Sequence, residues 1–231
     1  MSIVAILTGK GGSKLKDKNI LKINGKPCLY YPCKAAKKVK IIEHYFVSSE
    51  NSKILKCAKK YGYNLIKRPK SLSKVNTQHI DVIKHSLNQI KKLNIKPEII
   101  VILLANAPIV YSNWIEDSIN ILLKNKSATS VVPVIKNNDQ HPMRAKKIKN
   151  GYLEPHFKIN KNISTNRQDL VSNFFLSHNF WVIKTKNIYL NNGQPPWKFL
   201  GKKVKPYIIS KSIDIHERED LFIAQKIMGK K

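Results

Sequence analysis

Hydrophobic residues recur along this chain in two alternating rhythms. The first is a set of short, nearly continuous apolar runs. Ile3-Val4-Ala5-Ile6-Leu7 opens the chain and EIIVILL fills 98–104, with further runs at 44–48, 63–66, 128–134, 174–183 and 204–209. Runs of this kind predict strands, the two longest of them covered on both faces as in a parallel sheet. Between the runs, apolar residues fall three and four apart: Leu29, Tyr30, Cys33, Ala36 and Val39 in 27–39, Ile54, Leu55, Ala58 and Tyr61 in 51–61, and Ile80, Ile83, Leu87 and Ile90 in 77–93. That spacing predicts helices with one buried face, and 113–123 and 217–227 read the same way. Alternating strands and helices predict an α/β fold, a largely parallel sheet with helices on both faces. Ligands of such sheets bind beyond the carboxyl ends of the strands, where the turns at Gly9 and Asn106 fall.

One segment breaks the rhythm. Between 136 and about 172 polar residues dominate and periodicity is weak, over a length too great for an ordinary connection. It reads as an arm or lid on one domain spanning 1–231, with a hairpin turn at Asn150-Gly151. The first apolar run ends in Gly9-Lys10-Gly11-Gly12-Ser13-Lys14, a bare backbone crowded with ammonium groups, which suits a polyphosphate. As a tight turn with solvated lysines it would look the same. It is neither a Walker A loop nor a dinucleotide fingerprint, since Lys14 stands where the third glycine of the latter belongs.

Charge changes this picture less than its size suggests. The chain carries 43 basic and 14 acidic residues, a formal net charge of +29. Only four of the basic residues are arginine, and the lysines are spread over nearly every segment beside abundant asparagine and isoleucine. A reader of guanine or phosphate favours the planar arginine fork, so no specific nucleic-acid partner is expected. Against a lysine background the exceptions Arg68, Arg144, Arg167 and Arg218 become candidates for bidentate work, Arg218 reading as an ordinary ion-pair residue beside Glu217 and Glu219. No apolar run is long enough to cross a membrane, no export signal is legible, and three cysteines without a CxxC pair suit a reduced, cytoplasmic protein.

The stretch GGSKLKDKNILKINGKP at 11–27 resembles the signature of the cytidylyltransferases that activate sialic-acid-like sugars. The resemblance continues in order through the whole chain. Phe46-Val47-Ser48-Ser49-Glu50 is similar to the family's VSTD strand end, and Ala58 to Gly62 with Arg68-Pro69 to its AKxYG…RP stretch. Leu103 to Pro108, Arg167-Gln168-Asp169-Leu170, and Ser212-Ile213-Asp214 with Asp220-Leu221 resemble its later motifs.

The resemblance implies a three-layer Rossmann-like nucleotidyltransferase fold with a mainly parallel mixed sheet and a small dimerisation arm. It implies transfer of CMP from CTP to the anomeric hydroxyl of an acidic nine-carbon sugar, with magnesium (Mg2+), in a homodimer. Lys10, Lys14 and the backbone of Gly11, Gly12 and Ser13 are then the triphosphate cradle, with Lys18, Asn19 and Asn106 near the nucleotide. Lys10 replaces the family's usual arginine. Arg167 and Gln168 match the pair that handles the sugar, Arg144 lies in a substrate-side loop, and Asp214 is the metal ligand and third catalytic candidate. Asp214 also stands at capping-box spacing from Glu217, so a helix cap is the competing reading. Asn106 as a turn former, and Arg167 with Gln168 as a solvated arm, are open in the same way. An eight-carbon keto acid as substrate is the enzymatic alternative. A non-catalytic relative or basic binding protein is the alternative of another class.

Overall fold

The computed structural model describes residues 1–12, 14–158, 163–190 and 192–229. Its strands are β1 (Ile3–Thr8), β2 (Lys22–Ile23), β3 (Lys26–Pro27), β4 (His44–Ser49), β5 (Asn64–Lys67), β6 (Ile99–Leu104), β7 (Ser130–Lys136), β8 (Lys146–Lys149), β9 (Tyr152–Pro155), β10 (Phe174–Leu176), β11 (Phe180–Lys184) and β12 (Val204–Ile208). The helices are α1 (Tyr30–Lys37), α2 (Ser52–Lys59), α3 (His79–Lys91), α4 (Ser112–Lys124), the short α5 (Asn187–Leu190) and α6 (Arg218–Met228).

Eight strands form one sheet in the order β10-β7-β11-β6-β1-β4-β5, with β12 added beside β7. β1 lies parallel between β6 and β4, and β5 continues parallel at the far edge. β11 runs antiparallel between β6 and β7, which makes the sheet mixed. The pleat divides the core as period two requires. Ile3, Ala5 and Leu7 pack with α1, α2 and α4 on one face. Val4 and Ile6 pack with Ile83, Leu87 and Ile90 of α3 on the other. Full burial of each such aliphatic side chain contributes about 1.5–3 kcal/mol. These two faces make the three layers.

Three local features differ from the pattern-based expectation. The helix predicted from 27 begins only at Tyr30, because Asn24 and Gly25 at positive φ (46° and 79°) turn the chain into the β2–β3 hairpin first. The single aromatic strand expected over 174–183 is two strands, broken at Ser177-His178-Asn179. The capping box that Asp214 and Glu217 offered as the competing reading is formed instead by Glu217 and Asp220, whose Oδ2 accepts from the Glu217 amide at 2.8 Å. The arm does contain the hairpin read at Asn150-Gly151, β8 pairing β9 across two residues at φ 50° and 83°.

A small third cluster of Ile23, Cys28, Ile215 and Ala224 fastens α6 to the segment that follows the glycine loop. This packing brings the end of the chain over its beginning.

Candidate active site

The glycine loop is held in place by charge buried beneath it. Arg68, almost fully buried, donates from Nη2 to the Gly9 carbonyl at 2.7 Å and to Glu50 Oε2 at 2.6 Å. The other Glu50 oxygen accepts from the Gly11 amide at 2.7 Å, and Ser73 Oγ donates to Glu50 Oε2 at 2.8 Å. Burial alone would raise the Glu50 pKa, but the Arg68 guanidinium and the donors at Gly11 and Ser73 outweigh it and pull it down to about 2. Gly11 must be glycine for a local reason: a Cβ there would stand 2.4 Å from Asn51 Nδ2 and 2.8 Å from Asn51 Cβ. Asn51 caps α2 through its own Oδ1 and has no room to retreat. Gly12, by contrast, borders open space.

Beyond the glycines the loop turns back through Asp17 at φ 57°. Asn19 is buried, and its Nδ2 donates to the Lys10 carbonyl at 2.8 Å, so its amide clasps the loop from below. Lys10 reaches sideways, donating to the Lys74 carbonyl at 3.2 Å. Lys14 and Lys18 reach the C-terminal segment. Lys14 Nζ is 3.4 Å from Glu217 Oε1, and Lys18 Nζ is 3.5 Å from His216 Nδ1. Burial lowers the Lys18 pKa, with the nearby charge of Asp214 opposing the shift.

The segment carrying Asp214 is anchored on both sides. Ser212 Oγ bonds to Ser177 Oγ at 2.7 Å and to Asn179 Oδ1, while Asn179 Nδ2 donates to the Ile109 carbonyl. Ile215 N donates to the Asn106 carbonyl at 2.8 Å, and Asn106 Nδ2 returns a bond to the Ile215 carbonyl at 3.3 Å. Between these anchors, Asp214 Oδ2 lies 3.3 Å from His178 Nδ1, and Oδ1 is buried with no hydrogen-bond partner. An orphaned carboxylate oxygen on a residue close to Lys18 is an incomplete site. Among the described residues no group of three or more His, Cys, Asp or Glu side chains could enclose an ion. One carboxylate is the share of its shell that a hard cation such as magnesium commonly takes from a protein, the rest coming from substrate oxygens and water.

The arm residues lie elsewhere. Arg167 forks onto Asp139, Nη1 to Oδ1 at 2.8 Å and to Oδ2 at 3.1 Å, and this pairing raises the Arg167 pKa. Arg167 and Gln168 border a cavity of about 620 Å³ that the arm makes by itself, with Lys136, Asn138, Asp139 and Ser172. Arg144 is exposed in the short turn that His141 caps.

A family model described as cytidylyltransferase matches residues 4–223. The chain belongs to the cytidylyltransferase family. It is 26% identical over 232 residues to the N-acylneuraminate cytidylyltransferase of Escherichia coli O18:K1:H7, covering 99% of this chain and 52% of that protein. It is 30% identical over 173 residues to a Helicobacter pylori protein named pseudaminic acid cytidylyltransferase and UDP-2,4-diacetamido-2,4,6-trideoxy-beta-L-altropyranose hydrolase, covering 74% of this chain and 32% of that one. The chain thus spans about half or less of the length of these relatives. In fold it is similar to a CMP:2-keto-3-deoxy-manno-octonic acid synthetase solved with CTP, at TM-score 0.72 and 13% identity over 99% of this chain and 98% of that one. That likeness gives the cytidylyltransferase a nucleotidyltransferase-like α/β fold.

Of the residues singled out by sequence, the fold brings Lys18 close to Asp214 and Lys14 to Glu217 three residues further on, with Asn19 and Asn106 bracing the segments that carry them. Ser13 lies outside the described residues. Among the described residues, the hydrogen bonds and ion pairs of Arg144, Arg167 and Gln168 stay within the arm. Sequence reasoning assigned no site role to Glu50 or His79. Glu50 carried a signal, an acid directly after a strand in a chain poor in acids. His79 carried none: its Nε2 lies 3.1 Å from Thr8 Oγ1, and burial beside Arg68 and His178 lowers its pKa to about 4. No helix among the described residues is long and apolar enough to cross a membrane.

Proposed function

We propose that this cytidylyltransferase transfers CMP from CTP to the anomeric hydroxyl of an acidic, sialic-acid-like nine-carbon sugar and releases pyrophosphate. The observation that carries the reading is the meeting of Lys14 and Lys18 with the Asp214 segment at the end of β1, across 200 residues of chain. In the reaction the anomeric oxygen bonds to the α-phosphorus and gives up its proton to solvent, while the bond to the pyrophosphate oxygen breaks in line. Little covalent chemistry falls to the protein, which must position the groups and stabilise charge. Lys14 and Lys18 supply positive charge beside the triphosphate, and Lys10 extends that charge toward Lys74. The Gly12 backbone faces open space and offers an amide; the Gly11 amide is held by Glu50. Magnesium, when bound, neutralises phosphate charge, and Asp214 is the residue that would hold it.

Arg167, Gln168 and Arg144 serve the sugar in this reading, and the arm brings them to a neighbouring copy's site. Ile148, Tyr152 and Leu153 of the arm hairpin are 77%, 77% and 72% exposed, which supports a homodimer that covers them. Dependence on CTP suits a cytoplasmic enzyme.

The test is CTP-dependent pyrophosphate release with neuraminic, legionaminic, pseudaminic and eight-carbon keto-acid sugars. Release with a nine-carbon acid supports the reading. Release with the eight-carbon acid alone reassigns the substrate. Tight CTP binding with no release from any sugar makes the chain a non-catalytic relative. Light scattering tests the dimer, with Leu153→Asp expected to give monomers.

A further inference from the structure

The break between β10 and β11 places a histidine against a carboxylate with a buried oxygen that has no hydrogen-bond partner. Had Phe174 to Lys184 formed one continuous strand, His178 would have been a ladder residue. Instead β10 and β11 pair with successive parts of β7, and Ser177-His178-Asn179 loops out between them. Asn179 turns inward to hold Ile109 and Ser212. His178 turns toward Asp214, Nδ1 to Oδ2 at 3.3 Å. An ionised carboxylate can only accept, so Nδ1 carries the hydrogen of this contact.

The ring is fixed on two further sides. Trp181 meets it edge-on at 5.6 Å between centroids and 74°, and Trp197 at 5.7 Å and 67°. Trp181 is itself locked: buried, with its Nε1 donating to the Ser177 carbonyl at 3.0 Å and its ring against Phe199 at 5.7 Å. A donor this rigid chooses among the rotations open to Asp214. The charge of Lys18 acts on the same carboxylate. Without the imidazole, Asp214 is free to turn into a closed ion pair with Lys18, and neither group then faces substrate.

We propose that His178 is a positioning residue for Asp214. It holds Oδ2 and so fixes the rotation of a partly exposed carboxylate that would meet a divalent cation carried in with CTP. This rests on the reading of Asp214 as the metal-holding residue, and the experiment separates the two. Hydrogen-bond partners of metal ligands are commonly worth about 10–100-fold in metal affinity or activity.

Calorimetric titration of CTP into the full chain, with and without magnesium, gives the metal's contribution to nucleotide affinity. KM for magnesium and KM for CTP, from pyrophosphate release, give a second and independent readout. His178→Phe keeps an aromatic ring between the tryptophans but removes the donor. It is expected to lower the magnesium contribution about 10-fold, raising KM for magnesium while leaving magnesium-free CTP affinity unchanged. His178→Asn restores an N–H near the same place and is expected to recover most of the loss; if the Phe variant does not fold, the Asn variant is compared with His178→Leu. A His178→Phe protein with wild-type magnesium dependence, beside an Asp214→Ala protein that has lost it, overturns the inference and leaves the metal reading standing. An Asp214→Ala protein with unaltered magnesium dependence overturns both.

Discussion

Asn106 and Ile215 hold each other by two hydrogen bonds, Ile215 N to the Asn106 carbonyl at 2.8 Å and Asn106 Nδ2 to the Ile215 carbonyl at 3.3 Å. One lies in the turn just after the central strand β6 and the other follows Asp214, so the end of that strand fixes the height of the carboxylate. Asn106→Ala removes one of the two bonds. Net loss of a hydrogen bond of this kind costs about 1 kcal/mol. The expected result is a small fall in melting temperature with a larger fall in kcat, read by thermal unfolding beside pyrophosphate release.

Asp214 and Asp220 lie six residues apart and are expected to fail differently. Asp220 accepts from the amides of His216 and Glu217 at 2.7 and 2.8 Å and caps α6. Asp220→Ala should cost about 1 kcal/mol of stability and keep measurable turnover. Asp214→Ala should abolish magnesium-dependent turnover with little change in unfolding. Near-normal turnover in the second variant would make Asp214 a structural residue only.

The Glu50–Arg68 pair predicts a pH dependence of stability. A carboxylate whose folded pKa is depressed, here from 4.5 to about 2, stabilises the fold above its unfolded pKa and loses that contribution as pH falls through the folded value. Partial solvation reduces the effect to about 2 kcal/mol. Glu50→Gln should therefore lower stability at pH 7, and its deficit relative to wild type should shrink between about pH 4.5 and pH 2. Denaturant melts across that range check it, and a deficit constant with pH would remove the electrostatic explanation.

Arg167 meets Asp139 through a carboxylate, the same chemical group that a sialic-acid-like sugar offers. The internal carboxylate competes with the external one. Asp139→Asn is expected to lower KM for the sugar several-fold with KM for CTP unchanged. Initial-rate measurements with each substrate varied in turn test this, and an unchanged sugar KM would show that Arg167 does not meet the sugar carboxylate.

The layers were legible because hydrophobic period reports burial directly. Ile3 to Leu7 and Ile99 to Leu104 had to be covered on both faces, and the helical stripes of 51–61 and 77–93 supply the cover. The loop motif and the acids near the C-terminus could be picked out one by one. Their meeting could not, since nothing local ties Lys14 to Glu217; the small cluster around Ile23, Ile215 and Ala224 does that.

The sequence by itself determined the strand–helix alternation, the hairpin at Asn150-Gly151 and the residue types able to hold phosphate and a cation, because these follow from spacing and side-chain chemistry. Tertiary structure alone decided that Glu50 takes the Gly11 amide, that Asp220 rather than Asp214 joins Glu217 in capping α6, and that His178 leaves its strand to meet Asp214. Those outcomes depend on which partners stand within about 3 Å of one another in the folded chain, a distance that residue spacing alone does not give.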